Sequence, residues 1–94
     1  MSLIDPIFER IILKLDEKEI LTRDELAKLI EPCVDFKYLT PERKREVVYR
    51  EIKFYSYLLE RCGYSIRFSH RGRDYTLQIT EKGKEVAKKL RVRK

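Results

Sequence analysis

Four cations, Arg43, Lys44, Arg50 and Lys53, fall in one stretch that contains no helix breaker. Arg43, Glu46, Arg50, Lys53 and Tyr57 recur there at intervals of three or four positions, which puts them on one face of a helix. A guanidinium presents a planar fork of donors that grips two acceptors at once, whereas a lysine ammonium acts as a point charge. Together they suit phosphate or another polyanion. Tyr49 and Tyr57 lie among the cations, and each has two readings: a ring packed at a boundary, or a hydroxyl that contacts a ligand. Glu46 precedes Arg50 by one helical turn, so an ion pair between them is expected. A second cationic group, Arg67, His70, Arg71 and Arg73, surrounds Gly72.

Other chemistries find little support. No nucleophile–base pair, glycine-rich phosphate loop or carboxylate pair in an apolar setting stands out, so no enzyme activity and no cofactor are expected. The single histidine, His70, falls on a turn and reads as an exposed residue rather than an acid or base. Cys33 and Cys62 read as small apolar side chains packed inside, with a disulfide as the alternative. One histidine and no paired-ligand spacing exclude a zinc site.

The charge is unevenly distributed. Residues 1–40 hold six Lys/Arg against nine Asp/Glu, whereas residues 41–94 hold sixteen against seven. The second half therefore carries the entire excess behind the net charge of +6, as a polyanion-binding face requires. Ninety-four residues suffice for one domain, and 43% apolar residues are enough to build its core. No apolar run approaches the roughly 18 residues that span a bilayer. The opening residues, Met-Ser-Leu-Ile-Asp-Pro, lack a basic segment and a small-residue cleavage site. A cytoplasmic location and no membrane partner are expected.

The elements that must position these residues follow from caps and periods. Asp5-Pro6 starts a helix over 5–16, with Ile4, Ile7, Phe8, Ile11, Ile12 and Leu15 as its stripe and Leu13 outside it. Ile20-Leu21 form a short strand. Thr22 and Glu25 then make a capping box for a helix over 22–31, which Pro32 stops by pushing Glu31 out of helical geometry. Cys33 to Leu39 read as a packed turn. Thr40-Pro41-Glu42 opens a long helix over 41–62 that closes on Gly63, with Val48, Ile52, Tyr55, Leu59 and Cys62 toward the core. The period then becomes two. Tyr64, Ile66 and Phe68, and on the return Tyr75, Leu77 and Ile79, are expected to form the buried face of a hairpin over 64–79. Thr80 caps a last helix over 81–91, with Val86, Ala87 and Leu90 on one side.

This order is α+β, and three stretches give it a resemblance. Ile20-Leu21-Thr22-Arg23-Asp24-Glu25-Leu26-Ala27 resembles the short strand and second helix of the winged helix-turn-helix superfamily, notably its small prokaryotic and archaeal regulators. Tyr57-Leu58-Leu59-Glu60-Arg61-Cys62-Gly63-Tyr64 resembles the end of the recognition helix, and Tyr75 to Gly83 resembles the second wing strand running into the last helix. The turn from Glu31 to Thr40 is longer than the three or four residues usual between the paired helices.

The resemblance implies a sequence-specific regulator of transcription that binds double-stranded DNA. Its long helix would enter the major groove, with Arg43, Lys44, Arg50 and Lys53 as contacts and Arg50 reading a base. Arg67, His70, Arg71 and Arg73 would form a basic wing on the backbone or minor groove. Thr40 and the first amides of the long helix would hold a phosphate. A homodimer through the first and last helices is expected, since such regulators commonly read two-fold sites. The alternative is a protein-docking module of a larger assembly, with the exposed tyrosines as its hot spot.

Overall fold

The structure is a computed structural model that describes residues 5–34, 37, 39–72 and 74–92. Among them the chain forms four α-helices and three strands: α1 (Pro6–Lys18), β1 (Ile20–Thr22), α2 (Arg23–Ile30), α3 (Pro41–Arg61), β2 (Ser65–Ser69), β3 (Tyr75–Ile79) and α4 (Glu81–Val92). The architecture is α+β, and the sheet is antiparallel in the order β1-β3-β2. The expected Ile4 and Arg73, and part of the turn from Cys33 to Leu39, lie outside the described residues.

Each helix starts where a short polar side chain takes up an orphan amide. Asp5 Oδ1 accepts from the Ile7 amide at 2.8 Å, with Pro6 in the first turn where its missing donor costs nothing. The capping box forms in both directions: Glu25 N donates to Thr22 Oγ1 at 3.2 Å and Thr22 N to Glu25 Oε1 at 3.1 Å. Thr40 Oγ1 accepts from Arg43 N at 3.3 Å, and Thr80 Oγ1 accepts from Gly83 N at 3.1 Å. α3 ends as the glycine signal predicts. Gly63 N donates to Glu60 O at 3.0 Å and Tyr64 N to Leu59 O at 2.9 Å, closing the last carbonyls of the helix.

Pro32 does not stop α2 in the expected way. Glu31 keeps helical angles (φ −49°, ψ −47°), and the chain tightens into a 3-10 turn over Glu31–Cys33. Proline is tolerated there because it stands in the first turn of the new segment, where its amide has no helical partner.

The core joins all the helices to the sheet. Ile11, Ile12 and Leu15 of α1 meet Leu21 of β1, Leu26 and Ile30 of α2, Ile52 and Leu59 of α3, and Leu77 of β3. Leu90 of α4 is buried in the same core, and Leu13 and Val86 are partly buried against it. Arg91 bridges α4 to α1 by an ion pair with Asp16 and by donating to Leu13 O at 3.3 Å. Leu13 and Val86, expected to receive a second copy, are thus only partly covered by their own chain. Cys33, expected inside, is exposed, and Cys62 is half-buried; both thiols are free.

The largest departure from the sequence pattern is in β2. Tyr75, Leu77 and Ile79 of β3 face inward as expected, but Ser65 is buried while Ile66 and Phe68 are exposed (52% and 47%). Register explains the inversion. Ser65 pairs with Ile79, Arg67 with Leu77 and Ser69 with Tyr75, and directly opposed residues share a face. The turn sets this parity. His70 N donates to Asp74 O at 2.9 Å, so three residues close the hairpin, with Gly72 at φ +74°, a conformation that favours glycine. One residue more or less would put Ile66 and Phe68 inside.

Candidate nucleic-acid interface

α3 is 21 residues long, about 31 Å at the usual rise, and its first two turns contribute no fully buried side chain. Its buried residues begin at Val48 and continue through Ile52, Tyr55, Ser56 and Leu59. Arg43, Arg50 and Lys53 are exposed on the other side. Glu46 pairs with Arg43 at 3.4 Å rather than with Arg50, the expected partner. Arg50 and Lys53 make no ion pair among the described residues.

An open groove of about 740 Å³ runs beside this face. One wall is α3, through Glu46, Tyr49, Arg50 and Lys53, and the other is Tyr75 at the root of the hairpin. Arg23, the first residue of α2, completes the lining. Its guanidinium lies 4.3 Å from the Tyr49 ring centroid, a cation–π contact that fixes both side chains at the rim. Three cations from two helices therefore line one depression, and the one carboxylate among its described residues, Glu46, is already paired with Arg43.

The remaining residues singled out in the sequence divide by position. Thr40 caps α3, so its hydroxyl oxygen is engaged by the Arg43 amide. Lys44 is half-buried and turned toward α2, beside Ala27 and Glu31, and away from the Arg50 face. Tyr57 is exposed on α3, with the Arg61 guanidinium 5.7 Å from its ring centroid. His70 and Arg71 are exposed at the hairpin tip, and His70 Nε2 lies 3.3 Å from Thr76 Oγ1. Arg73 lies outside the described residues.

Arg67 is the residue most altered by the fold. The register puts it on the Leu77 face of the sheet, still 45% exposed, where its Nε meets Glu60 Oε1 at 3.1 Å and its guanidinium lies 5.6 Å from the Tyr75 ring centroid. The Tyr75 hydroxyl is 3.0 Å from the buried Ser56 Oγ. These side chains brace the hairpin against α3, and so set the angle between the two walls of the groove.

Sequence reasoning missed three residues here. Arg23 opens α2 directly after the Thr22 cap, far in sequence from the basic stretch it joins. Tyr75, whose alternation with Leu77 and Ile79 points to the core, is only half-buried and also lines the groove. Phe54, 53% exposed beside Tyr57, was not singled out because it breaks the basic pattern of its face.

No helix is long and apolar enough to cross a membrane, and no group of three or more His, Cys, Asp or Glu could hold a metal ion, among the described residues. Comparison with known proteins finds no match: no family model, no curated protein and no solved structure aligns with the chain.

Proposed function

We propose that this chain is a winged-helix protein that binds duplex DNA and regulates transcription, with α3 in the major groove and the β2–β3 hairpin as a basic wing along the backbone or minor groove. One observation carries the reading: Arg23, Arg50 and Lys53 line a single open groove whose far wall, Tyr75, leads directly to the hairpin tip at His70 and Arg71. Cations on α3 and on the hairpin can therefore meet one run of phosphates, while Arg50, which makes no ion pair among the described residues, would read a base edge. The groove is open to solvent rather than an enclosed pocket for a small ligand.

Selection from a random duplex pool at two salt concentrations tests this. A strongly enriched motif whose affinity falls steeply with salt supports the reading. Weak binding with nothing enriched overturns it.

Phe54 and Tyr57 favour a second reading. Both are more than half exposed on the outward side of α3. Adjacent exposed aromatics are typical anchors of a protein interface, so a docking module is the alternative. Under it, Phe54→Ala and Tyr57→Ala abolish partner capture, and salt has little effect.

A further inference from the structure

We propose that the open edge of β2 pairs with β2 of a second copy of this chain, forming a two-fold dimer with a continuous six-stranded sheet. β2 is an outer strand in the order β1-β3-β2. Its free backbone groups can be assigned from the neighbouring bonds. Ile79 N donates to Glu19 O on the β1 side at 3.0 Å, and Thr80 N donates to Tyr64 O on the β2 side at 3.1 Å. Backbone groups alternate sides along an antiparallel strand, so Gln78 and Thr76 bond toward β2, where Ile66 and Phe68 are their partners. Ser65, Arg67 and Ser69 therefore direct their N–H and C=O groups outward.

Proteins usually blunt such an edge with charge, proline or a bulge. β2 has neither proline nor a bulge, and a single charge is its one guard. That charge, Arg67, lies on the Leu77 face of the strand and is neutralised by Glu60 at 3.1 Å, while its side chain stays 45% exposed. Meanwhile Ile66 and Phe68 stand exposed on the outer face of the same strand.

Antiparallel pairing about a two-fold axis at Arg67 sets Ser65 opposite Ser69 and Ile66 opposite Phe68. Ser65, Arg67 and Ser69 all point their backbone groups toward the partner, so the pairing gives about six backbone hydrogen bonds. Ile66 and Phe68 then occupy the closely spaced, non-hydrogen-bonded positions, where side chains touch most intimately. Charge also selects a second copy. The two arginines at the axis each arrive with their own Glu60, giving a neutral row of acid, base, base and acid. This face is distinct from the α1 and α4 surface expected from the sequence.

Sedimentation equilibrium and amide hydrogen exchange on the full chain test the pairing. The expected result is a dimer whose formation protects the Ser65, Arg67 and Ser69 amides, while the Ile66 and Phe68 amides are protected at every concentration. Phe68→Lys, at an already half-exposed position, should leave folding intact and weaken association by about tenfold or more, because two Ile66–Phe68 contacts are lost. Glu60→Gln should weaken it most at low salt, where the arginine pair is left uncompensated. A chain that stays monomeric at millimolar concentration overturns the proposal. So does a dimer in which those three amides exchange equally fast at all concentrations, or one that Phe68→Lys leaves unchanged.

Discussion

Tyr55 of α3 donates its hydroxyl proton to Asp5 Oδ2 at 2.8 Å, while Asp5 Oδ1 caps α1 at the Ile7 amide. One carboxylate thus both starts the first helix and ties it to the long one, across fifty residues of sequence. The ring of Tyr55 is buried and Asp5 is exposed, so the bond is shielded from water on the tyrosine side only. Tyr55→Phe keeps the ring and removes the donor. It should cost about 1.5–3 kcal/mol, the range for hydrogen bonds to charged groups, measured as a shift of the urea midpoint.

The same pair sets a pH dependence. Burial raises the Tyr55 hydroxyl above the ordinary phenol range, and the hydrogen bond to Asp5 and its negative charge add to the shift. The folded protein therefore holds this proton more tightly than the unfolded chain. The stabilisation is complete below about pH 10, the unfolded value, and is lost as pH rises toward the folded one. The stability difference between the native protein and Tyr55→Phe should shrink as urea titrations move from about pH 9 to pH 11. A difference that stays constant would refute the assignment.

Gly83 allows α4 to approach the end of α3 and β3. A Cβ there would stand 2.4 Å from Tyr64 O and 2.8 Å from Ile79 Cγ1. The first neighbour is backbone and cannot rotate away. Gly83→Ala should cost about 1–3 kcal/mol despite the higher helix propensity of alanine, and thermal unfolding would report it. A gain in Tm would show that α4 is not held this close.

Ser65 Oγ is buried with no hydrogen-bond partner among the described residues. Removing an unsatisfied buried hydroxyl relieves its desolvation cost, so Ser65→Ala should be neutral or stabilising by up to about 1 kcal/mol. Marked destabilisation in denaturant unfolding would mean that the hydroxyl has a partner and that the inverted register of β2 needs revision.

On the proposed DNA reading, Arg50→Ala should weaken specific binding by about 1–3 kcal/mol and relax preference at one base pair. Arg71→Ala, at the hairpin tip, should weaken all duplexes alike and make the salt slope shallower by about one unit. Fluorescence anisotropy against matched and mismatched duplexes separates the two effects.

Helix boundaries were legible in the sequence because their causes are local. Asp5, Thr22 with Glu25, Thr40 and Thr80 each cap amides two or three residues away, and the three-to-four spacing on α3 separates Val48, Ile52, Tyr55 and Leu59 from Arg43, Arg50 and Lys53. The basic face was readable for the same reason. Ion-pair choice was less so, since Arg43 and Arg50 are both within reach of Glu46 and only conformation selects one.

What the tertiary structure alone decided is which partner each strand meets. The alternation of Ile66 and Phe68 with Ser65 and Arg67 is plain in the sequence, but its phase is not: the three-residue closure at Gly72 and the match of Leu77 to Leu21 turn the apolar set of β2 outward. That long-range choice also sends Arg67 to Glu60 and brings Tyr75 into the groove beside Arg50 and Arg23. A strand's period depends on its own residues, whereas the face it buries depends on the register with a neighbour, and register is a property of the pair.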